Sequence, residues 1–268
     1  SVAYRYLLAA AILVAFCLAT GRTLRLPLRH HPYIAAQGLF LFSLNYILFY
    51  LATYTLTTGV AAVVFSAIAV MNILNGAVLF GTPVDRRVLA AASLGLAGIG
   101  LVFWRDLSAL DPTSGPMIGL GLALLATFSA SLGNMASLRN QRAGLPIAEV
   151  NALGMAYGAV FTTAIVLFRG APITFDPSPG YVGSLVYLAL FGSVLAFGFY
   201  LTLLGRIGAD RAAYAAVVFP LVALVISTFL EDFQWTAPAL LGVALILGGN
   251  VLALKPRPDS AEASGSGR

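Results

Sequence analysis

The stretch from Phe40 to Met71, FLFSLNYILFYLATYTLTTGVAAVVFSAIAVM, decides how the rest of the chain is interpreted. It holds two long apolar segments joined by a short polar turn, and tyrosine, asparagine and hydroxyl side chains recur in it at helical spacing. A fainter copy follows about 150 residues later, from Phe197 to Val222, as FGFYLTLLGRIGADRAAYAAVVFPLV. We therefore expect two halves that descend from one plan.

Three short matches support this duplication. Phe49-Tyr50-Leu51 recurs as Phe199-Tyr200-Leu201, Ala61-Ala62 recurs as Ala212-Ala213 after a one-residue insertion, and Gly98 recurs as Gly248. A bundle that only had to be stable in lipid would need few of the polar side chains that both copies carry. We interpret the helix pairs as the walls of a substrate path.

The composition is that of an integral membrane protein. Of the 268 residues, 60% are hydrophobic and 9% are charged, and the mean hydropathy of +0.93 lies outside the range of soluble domains. A helix needs about 20 mostly apolar residues to span the hydrocarbon, and continuous apolar runs favour helices. Nine stretches qualify: 2–20, 33–56, 59–80, 87–104, 116–138, 147–168, 181–204, 211–230 and 237–254. The predicted fold class is all-α, a polytopic membrane helix bundle.

Basic residues are distributed unevenly over the connectors. If nine helices alternate in direction, 12 of the 15 Lys and Arg residues fall on one side, and the other side holds Arg5, Arg105 and Arg169. The positive-inside rule makes the basic side cytoplasmic, so we expect Ser1 outside and the carboxyl terminus inside. The net charge of +5 then reflects topology. No nucleic-acid partner is expected, because the arginines are divided among short loops.

The duplication also predicts a missing helix. The first four spans pair with the last four, which leaves the span 116–138 without a partner. Its partner should lie upstream of Ser1, so we expect a further helix within about 30 preceding residues. Five plus five helices make an inverted-topology repeat, because an odd number sends the second half in from the opposite side. We assign residues 1–104 to the first repeat, 116–254 to the second and 255–268 to a disordered cytoplasmic tail.

Small residues indicate where helices approach closely. Gly154 and Gly158 form a GxxxG pattern, which lets neighbouring backbones come together in lipid. The spans 87–104 and 237–254 carry glycines but almost no polar side chains. We expect those two spans to be scaffold outside the working cavity.

Few residues are available for covalent or metal chemistry. Cys17 is the single cysteine, which excludes an internal disulfide, and the two histidines, His30 and His31, belong to a basic connector. The chain has no HExxH motif and no paired intramembrane aspartates. Charged residues lie near helix ends, and we expect Arg5 to extend its guanidinium to the nearby interface. No catalytic residue, metal or cofactor is expected.

With ten reconstructed helices, the duplicated Phe-Tyr-Leu segment and the AlaAspArgAlaAla…Pro…PheLeuGlu run of 209–231, the chain resembles the EamA type of the drug/metabolite transporter superfamily. The resemblance covers residues 1–255. It departs from the family at 80–83, where PheGlyThrPro stands in place of a Gly-Glu-like signature. The resemblance implies a transporter of amino acids, other metabolites, nucleotide sugars or drugs, and the layout is most similar to amino-acid exporters of the YddG kind.

The predicted substrate site consists of neutral hydrogen-bonding groups and aromatic rings. Such a surface binds the carboxylate and ammonium of a zwitterion through hydroxyl and amide groups, while rings accept cations or apolar side chains. A second interpretation is that the asparagines bridge helices and the tyrosines near helix ends lie at the membrane interface. The candidate substrate-binding residues are Asn45, Tyr46, Tyr50, Asn72, Tyr200, Tyr214 and Phe219, with Pro220 as a hinge.

Three functions are compatible with this site. The leading hypothesis is a bacterial inner-membrane exporter of amino acids or related small metabolites, zwitterionic or neutral, that works by alternating access. The second is a multidrug or organic-cation carrier, which needs an acidic residue in the upstream helix. The third is a membrane scaffold or an intramembrane enzyme.

Overall fold

The computed structural model describes residues 2–84, 86–102, 104, 113–170, 174–212, 222, 225–226, 228–231 and 235–254. These residues form helices and no strand. Eight helices have defined bounds within them: α1, Val2–Ala19; α2, Leu28–Ala52; α3, Thr58–Phe80; α4, Arg86–Val102; α5, Gly115–Arg142; α6, Ile147–Phe168; α7, which runs through Pro179–Ala189, Leu190–Leu195 and Ala196–Ala212; and α8, Ala237–Leu254.

The predicted all-α membrane bundle is confirmed. Six of these helices are long and apolar enough to span a membrane, and α4 and α8 are shorter apolar helices. Eight of the nine predicted spans therefore correspond to a described helix, whereas most of the span 211–230 lies outside the described residues. The five-plus-five repeat and the division of the chain at 104 and 116 stay predictions.

Local backbone chemistry sets the ends of two helices. α5 continues past the predicted boundary at 138 and ends where Gly144, with φ of 77°, leaves the helix in the left-handed conformation. The Gly144 and Leu145 amides then donate to carbonyl oxygens of the last turn. α3 is capped at its start by Thr57, whose hydroxyl oxygen accepts a bond from the Val60 amide at 3.4 Å.

A π-helical turn interrupts both α2 and α7. The first covers Phe40–Leu44 and the second covers Leu190–Leu195. Their starting residues are separated by the same offset as Phe49-Tyr50-Leu51 and Phe199-Tyr200-Leu201. A π turn widens the helix locally and leaves its carbonyl groups less regularly paired, and such turns are frequent at functional sites.

Glycines allow α2 and α6 to cross at short distance, as the GxxxG pattern predicts. A β-carbon added at Gly38 would lie 2.5 Å from the Gly154 carbonyl oxygen and 3.0 Å from the Gly158 amide nitrogen. No side chain larger than hydrogen fits there without moving a backbone. A close contact between glycines also joins α4 to α8, where a β-carbon on Gly98 would lie 2.5 Å from the Gly242 carbonyl oxygen.

The main core is an aromatic and aliphatic cluster formed mostly by α1, α2, α6 and α7, with one residue each from α3 and α5. Tyr6 and Phe42 are fully buried in it, and their rings lie 5.4 Å apart. Phe42 also meets Phe197 of α7 edge to face, with ring centroids 5.1 Å apart. Tyr46 and Tyr200 pack against the cluster as half-buried residues, so these two of the four predicted site tyrosines lie at its margin.

Candidate substrate site

Asn134 of α5 links two of the predicted site residues. Its Nδ2 donates to the Tyr200 hydroxyl of α7 at 3.1 Å and, more weakly, to Oδ1 of Asn72 in α3 at 3.4 Å. Asn72 and Asn134 are buried, and Tyr200 is half-buried. Three helices therefore direct neutral hydrogen-bonding groups to one place in the bundle.

Two buried amides retain free acceptor capacity. Oδ1 of Asn134 and Oδ1 of Asn45 have no hydrogen-bond partner among the described residues, although both side chains are buried. An unsatisfied buried carbonyl oxygen costs roughly 1–3 kcal/mol, so native proteins usually supply it with a partner. A bound solute or an ordered water that donates to these oxygens would remove that cost.

Tyr46 lies against helix α1. Its ring meets Tyr6 edge to face at 5.2 Å between centroids, and the Arg5 guanidinium lies 5.0 Å from the Tyr46 ring centroid. A cation in this position is attracted by the negative face of the ring. Tyr46 is half-buried, so part of this aromatic and cationic surface remains open.

The expectation that Arg5 reaches the membrane interface is wrong. Its Nε donates to the Ser193 hydroxyl and its Nη2 donates to the Gly192 carbonyl, each at 2.8 Å. Both acceptors belong to the π turn of α7, near the middle of the candidate span Pro179–Gly205. The irregular turn supplies acceptors inside the bundle, so the side chain has no need to extend to water.

Of the other predicted residues, Tyr50 is not brought to this place. The Tyr50 ring is 57% exposed, and its hydroxyl accepts a bond from Tyr54 at 3.1 Å. Tyr214, Phe219 and Pro220 lie outside the described residues.

A buried amide network, which the sequence reasoning missed, joins α2, α5 and α6. Asn140 Nδ2 donates to Gln37 Oε1 at 3.2 Å, and Gln37 Nε2 donates to Asn151 Oδ1 at 3.0 Å. All three side chains are buried. We call this set the amide network; it lies at the end of the bundle where α1 and α5 end and α2 and α6 begin. Gln37 and Asn151 could have been singled out, because they are amides inside predicted membrane spans, whereas Asn140 lies beyond the predicted boundary at 138 and next to Arg139.

An ion pair and a cavity lie at the same end. Arg22 Nη1 is 3.6 Å from Oε2 of Glu149, whose side chain is only 6% exposed. A cavity of about 810 Å³ opens between α1, α7 and the start of α6, with Arg22, Gln141, Asn151 and Thr202 among its polar lining residues. A cavity of this size accommodates a small metabolite.

The opposite end carries a different link. The Glu231 carboxylate accepts a bond from the Thr58 amide at 2.8 Å and another from the Thr58 hydroxyl at 2.9 Å. A carboxylate at a helix N-terminus satisfies a free amide and interacts favourably with the helix dipole. Glu231 lies in the PheLeuGlu run that carries the family resemblance.

Within the described part of the chain, no three His, Cys, Asp or Glu side chains come together as a metal site.

Comparisons with known proteins identify the family. The EamA-like transporter family matches residues 1–104 and 117–255. The chain is 29% identical over 223 residues to a probable amino-acid metabolite efflux pump of Escherichia coli (strain K12). The aligned region covers 78% of this chain and 73% of that protein. It is also 28% identical over 250 residues to the uncharacterized inner membrane transporter YedA of the same organism. That aligned region covers 91% of this chain and 78% of YedA.

The fold is also that of a solved protein. A crystal structure with 20% sequence identity superposes with a TM-score of 0.66 and covers 99% of this chain and 88% of its own. At that identity the likeness concerns the fold alone. The family match and the apolar helices together establish that the chain belongs to the EamA-like transporter family and is an integral membrane transporter of a small-molecule substrate, and not an enzyme.

Proposed function

We propose that this transporter exports amino acids or related small metabolites across the bacterial inner membrane. The name of the Escherichia coli efflux pump supports the substrate class, and the name of YedA supports the inner membrane. The observation that carries the proposal is the convergence of Asn72, Asn134 and Tyr200 from three helices. Amide and phenol groups bind polar, uncharged or zwitterionic solutes without requiring a counterion.

The two ends of the bundle support alternating access. Thr58 and Glu231 join the predicted first and second repeats at one end. The amide network and the Arg22–Glu149 pair join them at the other. In an inverted-repeat transporter, rocking one repeat against the other opens one end while the other stays closed. Links that cross between the repeats at both ends are consistent with that motion. In this proposal the end that carries the amide network faces the cytoplasm, as does the carboxyl terminus.

The test is counterflow in proteoliposomes that contain the purified protein. Labelled L-leucine, L-phenylalanine and L-threonine are offered outside vesicles loaded with the unlabelled amino acid. We expect exchange of at least one of them, and we expect Asn134→Ala and Tyr200→Ala to lower its rate about fivefold or more, since each removes a hydrogen bond worth about 1 kcal/mol. Asn75→Ala is the matched control, because Asn75 lies one turn from Asn72 but donates to Ser131 at 2.8 Å.

The same vesicles separate the rival functions and test the remaining candidates. Transport of tetraphenylphosphonium with no amino-acid exchange would replace the proposal by an organic-cation carrier. Normal exchange by both the Asn134 and the Tyr200 variants would remove the site assignment. Tyr50→Ala tests whether that exposed ring takes part in transport.

A further inference from the structure

We infer that Arg5 binds the carboxylate group of the transported solute, an assignment that rests on the proposed transport function and narrows it to carboxylate-bearing substrates. Arg5 belongs to α1, and its side chain is half-buried among α1, α2 and α7. A cation inside a membrane bundle is costly, about 2.5 kcal/mol or more at mid-depth, and such residues usually mark substrate or ion pathways.

The guanidinium is held in one orientation. Ser193 donates its own hydroxyl hydrogen to the Leu188 carbonyl at 3.2 Å, so its oxygen is directed to accept the bond from Arg5 Nε. The Gly192 carbonyl accepts the bond from Nη2. Tyr6 and Tyr46 lie against the group, at 5.5 and 5.0 Å from ring centroid to Cζ. A planar guanidinium that is fixed through Nε and Nη2 can bind a carboxylate with its remaining N–H donors.

The charge lacks a counterion in the described part of the chain. No described carboxylate lies within 4.0 Å of Arg5; Glu149, for example, pairs with Arg22 instead. Nη1 of Arg5 likewise has no hydrogen-bond acceptor among the described residues, since its two bonds use Nε and Nη2. The donors at Nη1 and the full positive charge are therefore available to an anionic group.

The other π turn indicates that helix packing alone needs no charge at this position. Ser43 occupies in the π turn of α2 the place that Ser193 occupies in α7. Ser43 accepts its bond from the Thr162 hydroxyl of α6 at 2.8 Å. A neutral, buried threonine therefore makes the helix-to-helix contact in one case, whereas an arginine makes it in the other. The Arg5–Ser193 contact differs from the Thr162–Ser43 contact in its positive charge. A role in binding a carboxylate explains why a charged residue is present there.

The experiment compares amino acids with their primary amides, which lack the carboxylate. Inhibition of counterflow by L-leucine, L-phenylalanine and L-threonine is measured against leucinamide, phenylalaninamide and threoninamide. For the wild-type protein we expect each transported amino acid to compete about tenfold more strongly than its amide, because a hydrogen bond to a charged group contributes more than a neutral one. This readout needs no substitution, so it does not depend on whether a variant folds.

Variants then assign the preference to Arg5. Arg5→Gln is expected to lower the apparent affinity for the amino acid about tenfold and to leave that for the amide unchanged, while Arg5→Lys, which keeps the charge without the fork, gives an intermediate value. Arg169→Gln is the matched control, because it removes an arginine that is exposed at the end of α6. Monodispersity and the melting temperature of each variant are recorded alongside.

Each outcome has one meaning. Equal competition by acid and amide in the wild-type protein overturns the inference, and so does an equal loss of both in Arg5→Gln, which would make Arg5 a tie between helices. An unchanged preference in a folded Arg5→Gln variant also overturns it. If the wild-type protein exchanges none of the amino acids, the proposed function fails first and the inference fails with it.

Discussion

The Glu231 carboxylate caps the first turn of α3 by accepting bonds from both the amide and the hydroxyl of Thr58, at 2.8 and 2.9 Å. The two residues are 173 positions apart in the chain and belong to different predicted repeats. A contact of this kind stabilises the helix end, because the carboxylate satisfies a backbone amide of the first turn and interacts favourably with the helix dipole.

We expect Glu231→Ala to destabilise the protein by about 1 kcal/mol, because loss of a capping group costs roughly that amount. Thr58→Ala removes only the hydroxyl bond and should cost less. The measurement is the melting temperature in detergent, with Ser184→Ala, an exposed helical hydroxyl, as control. Equal stability of the Glu231 variant and the wild-type protein would show that the cap makes no net contribution.

Asn134 and Tyr200 should be coupled energetically. A double-mutant cycle with Asn134→Ala and Tyr200→Phe is expected to give a coupling free energy of about 1 kcal/mol, the usual net value of a neutral hydrogen bond. Stability and counterflow rate are both measured for the four proteins. Strict additivity in both would contradict the 3.1 Å bond as a functional contact.

The crossing of α2 and α6 should be intolerant of any side chain at Gly38. Gly38→Ala places a β-carbon 2.5 Å from the Gly154 carbonyl oxygen, so the helices must separate, at an expected cost of about 1–3 kcal/mol. Gly121→Ala is the matched control in α5, since no heavy atom lies within 4 Å of its added carbon. Thermal unfolding of both variants tests the difference, and equal melting temperatures would contradict the close approach.

Substitution of Arg22 should destabilise the protein more than substitution of its ion-pair partner, Glu149. Arg22→Gln leaves the Glu149 carboxylate, 6% exposed, without its cation, whereas Glu149→Gln leaves a guanidinium that is 46% exposed to solvent. Since an unpaired buried charge is costly, we expect about 1–2 kcal/mol more destabilisation from Arg22→Gln. Equilibrium unfolding of both variants and the double variant measures this. The reverse order would contradict it.

Several features of the fold could be predicted because they depend on local sequence. The apolar length of each span determines that it forms a helix in lipid, where every backbone amide needs an internal partner. The GxxxG pattern of Gly154 and Gly158 predicted a close helix crossing, and the structure places it against Gly38. The interpretation of Asn72 and Tyr200 as one site remains a prediction, although the two side chains do converge.

Other features could not be predicted, because they depend on which helices become neighbours. Asn134 lies in the span that had no partner in the repeat, so only its position between α3 and α7 reveals that it bonds to Asn72 and Tyr200. Gln37 and Asn140 are about 100 positions apart, yet they share a buried bond.

The sequence by itself determined that this protein is a bundle of membrane helices, because the hydropathy and length of each apolar run are properties of the chain, and its Phe-Tyr-Leu and PheLeuGlu segments carry the resemblance to the EamA type. Only the tertiary structure decided where the polar side chains go. Arg5 is the clearest case: its position near a helix end predicted an interfacial side chain, but the π turn of α7 offers Ser193 and Gly192 as acceptors. The direction of a long side chain is set by the polar groups within its reach, and those belong to other helices.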